Sequence, residues 1–380
     1  MKFLRLLYLP LAALVVIAMR LGLPLRFGQI VSTRIGHMAG NMECYLCEKD
    51  AGLSKGWDVW HHYGEPANKQ LARMLGREIT IDPTSFTRTC SIVNQLFSGW
   101  EKHCIESVNL DRDVHNLMEK QPPHLYFTIS EERRGEQTLR SWGLPEGAKF
   151  VCLIVRDAEY LPQLGYHAYR DSDIDTYLPA CAALAARGYY VFRMGAKVAK
   201  ALPLYTPKII DYATNGMRSE FMDVYLGAHC EFCVSSGCGF DAIPVIFRRP
   251  VCYVNYVPIE YLQTYNPRSL AIWKHHEKDG KRMTLPEIYE SKAGQFMRAD
   301  EFAQAGITLK DNTPEEIRAV VEEMADNPLY LRGNMLLPTE IEQAGFWINF
   351  PRSVSEYTDK PLHGAIRMRI GREFLKSYLP

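Results

Sequence analysis

Residues 230 to 244 read CEFCVSSGCGFDAIP, and within their first ten positions fall three cysteines, two serines and two glycines. Such residues can hold a metal, cycle as a thiol pair, or cradle a phosphate. Cys230 and Cys233 have metal-like spacing, but in a strand residues three apart point to opposite faces. The other CxxC pair, Cys44 and Cys47, falls in a segment of helical spacing far away in the chain. The remainder is an expected strand ending at Val234, a tight turn through Ser235, Ser236, Gly237, Cys238 and Gly239, and a helix starting near Phe240. Backbone amides at a helix start bind phosphate with help from the helix dipole, and glycines let the ligand come close. Two readings stay open: a phosphate cradle, or an ordinary strand-to-helix turn capped by Ser236.

Arginines end the neighbouring runs. Arg156 and Asp157 follow the apolar stretch VCLIV, Arg170 and Asp171 lie in YHAYRDSDIDTY, and Arg193 closes GYYVFR just before Gly195. Guanidinium forks suit pyrophosphate and tolerate partial burial. Together with the glycine turn they point to a diphosphate site. The DSD and DID pairs at 171–175 match a manganese-binding pattern, but they begin a helix, where capping and first-turn acidity account for them. No metal and no cofactor are expected.

A third cluster, STRIGHMAGN, places Arg34, Gly36 and His37 on a strand-to-helix loop. A neutral imidazole there can take a proton near pH 7, or it can simply fix the loop. With Arg34 and Asp157, His37 completes the candidate catalytic set. His61 and His62 adjoin Trp60 and Tyr63, a group equally compatible with sugar stacking and with core.

What must position these residues follows from size and pattern. A chain of 380 residues exceeds one ordinary core, so two domains are expected. Basic and acidic residues balance at 44 each, which excludes a global field for nucleic acid and leaves any anion site local. Ten cysteines, several inside apolar runs, suit a reducing compartment better than a disulfide framework. The N-terminal apolar run, Leu6 to Met19, is short of the roughly 20 residues of a spanning helix and is flanked by Lys2, Arg5, Arg20 and Arg26. A shallow helix on the cytoplasmic face of a membrane is expected over 1–27, ahead of a true span, a signal peptide or a core helix. Short strands and helices then alternate twice: over 28–145, with a helix expected across 91–110, and over 146–380, beyond the Gly/Pro stretch 141–149. Apolar runs without polar alternation indicate parallel strands covered on both faces. The expected fold is α/β, two Rossmann-like domains facing a cleft, closed by helices near 338–348 and 371–378.

The ordered series RIGHMAGNMECYL, YHAYRDSDIDTYLPA, GYYVFRMGA, IIDYA, EFMDVYLGAHCEFCVSSGCGF and IPVIFRRPVCYVN resembles a family of bacterial GT-B-type glycosyltransferases encoded with surface-polysaccharide genes. The VRD and YRDSD stretch is also similar to the arginine-rich donor site of GT-B fucosyltransferases. The resemblance implies transfer of a sugar from a nucleotide-sugar donor to a glycan or lipid-linked acceptor, without metal. It implies that the 235–239 turn, Arg156 and Arg193 hold the diphosphate, and that the loop with His37 borders the acceptor. Two other readings share the fold: a sugar-nucleotide epimerase, and a non-catalytic assembly subunit.

Overall fold

The structure, a computed structural model, describes residues 2–105, 112–159, 165–203, 206–327, 330–331, 341–355 and 359–378. Its first unit runs α1 (Lys2–Arg20), β1 (Leu25–Ile30), α2 (Ile35–Asp50), β2 (Trp57–His62), α3 (Lys69–Glu78), α4 (Phe86–Asn94) and β3 (Cys104–Ile105). The strands form one parallel sheet, β2-β1-β3, with Ile30 opposite His62. The loops that follow these two strands therefore share one rim. Ser32 Oγ ties them by donating to Tyr63 O at 2.9 Å. The helix expected over 91–110 is shorter. It ends at Asn94, whose side-chain amide donates to Trp100 O at 3.0 Å, and β3 follows a single 3-10 turn. Residues 106–110 of that expectation, like 338–340 of the first closing helix, lie outside the described residues.

α1 buries Ala12, Val16 and Met19 against Cys90, Val93 and Phe27. Leu7, Leu11, Leu14, Ile17 and Leu21 lie on the other side at helical spacing, and each is more than half exposed. No helix among the described residues is long and apolar enough to cross a membrane.

The second unit begins after α5 (Ile129–Ser141) and comprises β4 (Phe150–Ile154), α6 (Leu178–Ala186), β5 (Tyr190–Arg193), β6 (Ile209–Ile210), α7 (Glu220–His229), β7 (Phe232–Ser235), α8 (Ala242–Ile246), β8 (Val251–Tyr256) and β9 (Leu270–Trp273). β10 (His275–Lys278), β11 (Lys281–Arg282), α9 (Leu285–Glu290), α10 (Ala299–Gln304), β12 (Ile307–Lys310), α11 (Pro314–Asp326), α12 (Ile341–Asn349), β13 (Arg369–Ile370) and α13 (Arg372–Lys376) complete it. Nearly every residue of β4, β5, β7, β8 and β9 is buried, as strands covered on both faces require. They form a seven-stranded parallel sheet in the order β13-β9-β8-β7-β4-β5-β6, with a small antiparallel sheet β11-β10-β12 beside it. Counted from β4, this is the 3-2-1-4-5-6 order of doubly wound sheets, with β13 as a seventh strand beyond β9. Its connections reverse direction between β4 and β7, and the crevice beyond the carboxyl ends at that point is where such sheets bind ligands.

The two units share a hydrophobic layer. Met38, Met42 and Leu46 of α2 belong to one buried cluster with Val224, Ile243 and Ile246 of α7 and α8. α5 also leans on the second unit, with Arg134 4.2 Å above the Phe221 ring. A buried apolar seam of this kind restrains relative motion of the units.

Candidate functional site

β4 and β7 deliver the first two clusters to the reversal point. Register pairs Ile154 with Ser235, so Arg156 and Ser236 emerge side by side. The Arg156 amide donates to Ser236 Oγ at 2.8 Å, and its Nε donates to Asp171 Oδ1 at 3.1 Å. Its terminal nitrogens have no partner among the described residues. Arg170 comes in from the 3-10 turn Gly165–Arg170 and donates through Nη2 to the Gly237 carbonyl. Lys274, immediately after β9, secures this loop from below. It is buried, pairs with Asp311 at 2.8 Å and donates to Asp171 O.

The third cluster arrives from the other unit. Arg34 is the N-cap residue of α2, exposed and without an ion-pair partner among the described residues. A Cβ placed on Gly36 would lie 2.8 Å from Gly239 Cα, so the first turn of α2, which holds Gly36 and His37 where a loop was expected, rests directly on the serine–glycine turn. At position 36 only glycine permits so close a backbone approach, and at 239 a Cβ would be tight, 3.2 Å from Gly36 N. His37, half-buried in the first turn of α2, has Nδ1 3.3 Å from Asn41 Oδ1. With Nδ1 donating to that amide oxygen, Nε2 keeps its lone pair. Burial first, then the charges of Arg170, Arg156 and Arg34, push the His167 imidazole down to about 4. Charges from both units thus act on one spot.

Five expectations change. The turn does not present a row of free amides. Ser236 N donates to Ile154 O, Gly237 N to Ser235 Oγ at 3.0 Å, and Cys238 N to Asp241 Oδ2 at 2.8 Å. Asp241 is the reason: its buried carboxylate also accepts from Ser235 Oγ at 2.7 Å and serves as an internal anion for the turn. Burial pushes this carboxyl up to about 6, opposed by the Ser235 hydroxyl, the Cys238 amide and Arg170. Ser236 spends its hydroxyl on Arg156 N and does not cap the helix; Cys238 occupies the cap position.

Arg193 does not face the crevice. It is 1% exposed, pairs with Asp211 at 3.1 Å and donates to Lys200 O, so its charge is spent inside the fold. Gly195 serves the same corner, turning the chain after β5 at φ 153° against Val198. Asp157 is likewise structural: its two oxygens accept from Glu159 N and Ala199 N. The manganese-like acids fasten a loop, with Lys200 bridging Asp173 and Asp175 at 2.7 Å each. Trp60 is fully buried and His61 nearly so, and burial pushes His61 down to about 4; of that aromatic group Tyr63 stays exposed at the rim.

Composition hid three participants. His167 and Lys274 could have been noticed as polar residues beside the YRDSD motif and directly after the apolar run SLAIW. Asp241 lay within the turn motif itself, where an acid three residues past the cap position is the usual partner of a capping box.

One further polar knot joins the units away from the crevice. The donor atoms of Glu43, Cys47 and His124 lie within 4.8 Å of one another, as metal ligands can. Arg248 from the second unit enters the same group, 2.6 Å from Glu43 Oε1. Hydrogen bonds to Cys47 and Glu43 push His124 up to about 10, so two cations already serve the buried carboxylate. All ten cysteines are free thiols, eight of them buried.

No protein-family model matches the chain, and no curated protein matches it by sequence. Among solved structures it is similar to a family 9 glycosyl transferase from Veillonella parvula (TM-score 0.44, 9% identity, 79% of this chain and 96% of that one). It is also similar to the E. coli heptosyltransferase WaaC with ADP (TM-score 0.30, 11% identity, 74% and 99%). A third likeness is to a UDP-N-acetylglucosamine 2-epimerase from Listeria monocytogenes (TM-score 0.30, 9% identity, 90% and 99%). At these scores the fold assignment rests on the chain's own strand order and register, two parallel α/β units meeting at a common rim.

Proposed function

We propose that the protein is a GT-B-type glycosyltransferase that moves a sugar from a nucleotide-sugar donor to a glycan or lipid-linked acceptor, in the assembly of a cell-surface polysaccharide. The observation that carries this reading is the close approach of Gly36 to Gly239, which sets Arg34, from one unit, beside the turn that Arg156 and Arg170, from the other, hold beyond the reversal point of the doubly wound sheet. Loss of a nucleoside diphosphate concentrates negative charge on the leaving oxygens. Preorganised guanidiniums in a partly desolvated crevice stabilise that charge as it forms. His37, with Nε2 bare, takes the proton from the acceptor hydroxyl, which implies inversion at the sugar carbon.

The exposed leucine stripe of α1 supports attachment of the acceptor-side unit to the cytoplasmic face of the inner membrane, where a lipid-linked acceptor would be met. No acidic residue precedes Glu43, while Lys2, Arg5, Arg20, Arg26 and Arg34 do, a charge bias suited to anionic headgroups.

The test is to incubate the purified chain with nucleotide sugars, with and without membrane extract. Acceptor-dependent release of nucleoside diphosphate is expected, abolished in His37→Ala with donor binding kept. Change of the nucleotide sugar without any acceptor would replace transfer by epimerisation, and absence of nucleotide binding would end both.

A further inference from the structure

Glu43 and Cys47 lie four positions apart on α2, so both side chains leave the same face of that helix. They stand about two to three turns beyond Gly36, away from the crevice. His124, in the segment that leads to α5, closes on this face. Its Nδ1 is 3.0 Å from Glu43 Oε1 and 4.0 Å from Cys47 Sγ, and Sγ is 3.9 Å from Oε1. Ligand atoms on a tetrahedral zinc ion stand about 3.3–3.6 Å apart, given bonds of about 2.0–2.3 Å. Shifts of about half an ångström or less therefore bring these three atoms around one ion.

Two further observations favour a metal over a plain ion pair. His124 Nε2 is 3.2 Å from Asp50 Oδ2. A ring nitrogen that donates to a carboxylate turns the other nitrogen toward the cluster, the orientation that metal-bound histidines have. Glu43 is 1% exposed, and its Oε2 has no partner among the described residues, although a buried carboxylate oxygen left unpaired is costly. Arg248 does not take the ion's place. Its guanidinium is tied to the Gln121, Pro122 and Ile246 carbonyls, and of the carboxylate it reaches Oε1, as outer donors to ligating carboxylates do. Its Nη2 is also 3.8 Å from Cys47 Sγ, a contact that favours a thiolate. The thiolate, the Glu43 and Asp50 carboxylates and Arg248 together carry the charge that a divalent ion neutralises. We propose that Glu43, Cys47 and His124 bind a zinc ion that pins the segment ahead of α5 onto α2, beside Arg248 of the second unit. Mixed nitrogen, oxygen and sulfur donors suit zinc, and a fourth position stays open for water. Ligation releases the thiol proton of Cys47 and any proton on His124 Nδ1 to solvent. The site stands apart from the sugar-transfer reading and does not depend on it.

The experiment is to strip the full chain with a chelator and titrate it with zinc by calorimetry and with cobalt by absorption. About one equivalent of zinc is expected to bind with a Kd below about 1 μM. Cobalt should give a thiolate-to-metal charge-transfer band in the near ultraviolet, the mark of a cysteine ligand. Cys47→Ala is expected to abolish that band and to weaken zinc at least about 100-fold. Asp50→Ala, which touches no ligand position, is expected to weaken zinc about 10- to 100-fold by freeing the His124 ring. Absence of zinc binding in the stripped wild type, a cobalt band that survives Cys47→Ala, or equal zinc affinity in Asp50→Ala would each overturn the proposal and leave an ion-paired knot. The side chain of Asp50 is 65% exposed, so that variant folds even where Cys47→Ala does not, and the wild-type titration depends on neither.

Discussion

Gly36 of the first unit and Gly239 of the second lie back to back: a Cβ on Gly239 would come within 3.2 Å of the Gly36 amide nitrogen, and one on Gly36 within 2.8 Å of Gly239 Cα. This contact fixes how far Arg34 and His37 stand from Arg156 and Arg170. Gly36→Val is expected to cost about 1–3 kcal/mol by overpacking and to lower transfer roughly 100-fold by displacing one half of the site from the other. Nucleotide binding to the second unit should persist. Turnover together with small-angle scattering checks this, and a variant with unchanged rate would make the close approach irrelevant to chemistry.

Two arginines of similar sequence context should respond oppositely. Arg193→Met leaves Asp211 buried and unpaired, which is expected to cost about 3–5 kcal/mol in a urea titration. Arg34→Met removes an exposed group with no ion-pair partner among the described residues. Its stability should stay within about 0.5 kcal/mol of wild type while kcat falls by about 10- to 1,000-fold. Loss of stability in the second, or of rate alone in the first, would reverse the assignment.

Acid should loosen α5 from α3. Glu131 accepts from Arg77 at 2.6 Å, Gln70 at 2.7 Å and Thr128 N at 2.8 Å. Burial alone would raise its pKa, but these donors, Arg77 foremost, outweigh burial and hold it down at about 2. The folded value is below the unfolded one. The contribution is therefore complete above about pH 4.5 and disappears as pH falls toward 2. A shift of this size corresponds to about 3 kcal/mol before solvent screening, which lowers it for a partly exposed pair. Glu131→Gln should remove most of it at pH 7, and the gap between the two proteins should close by pH 2. A gap that stays constant across that range would show the carboxylate's charge to be immaterial.

Replacing Leu7, Leu11 and Leu14 with serine should leave the fold intact, since their side chains face outward. Partition onto vesicles rich in anionic lipid should fall at least about 100-fold, three buried leucines being worth several kcal/mol at a bilayer surface. Cosedimentation reads the effect. Equal binding of variant and wild type would dismiss the stripe as a lipid contact.

Much of the architecture was legible because its causes are local. Runs such as FVCLI, YVFR and VCYVNY are apolar on both faces, which marks them as covered parallel strands wherever they occur. Ser219 and Thr313 announce helix starts by side-chain caps that need no distant partner. The helix expected over 91–110 misled, because its periodicity continues past the point where Asn94 bonds to Trp100 O and turns the chain. The candidate site was legible as a set of clusters, not as an arrangement. Arg170 and Arg193 read alike in the sequence, yet one reaches the Gly237 carbonyl and the other meets an aspartate 18 positions on.

By itself the amino-acid order determined most of the strands and helices, that they alternate as parallel α/β units, and that arginines, serines and glycines stand at strand ends. Those properties depend on residues a few positions apart. Only the tertiary structure decided that Asp241 satisfies the serine–glycine turn from within, that Arg193 is spent on Asp211, and that Gly36 brings Arg34 across to the other unit. Each of these is a choice of partner for a charge or a backbone group. Such choices are made by packing between elements far apart in the chain, to which no local pattern is sensitive.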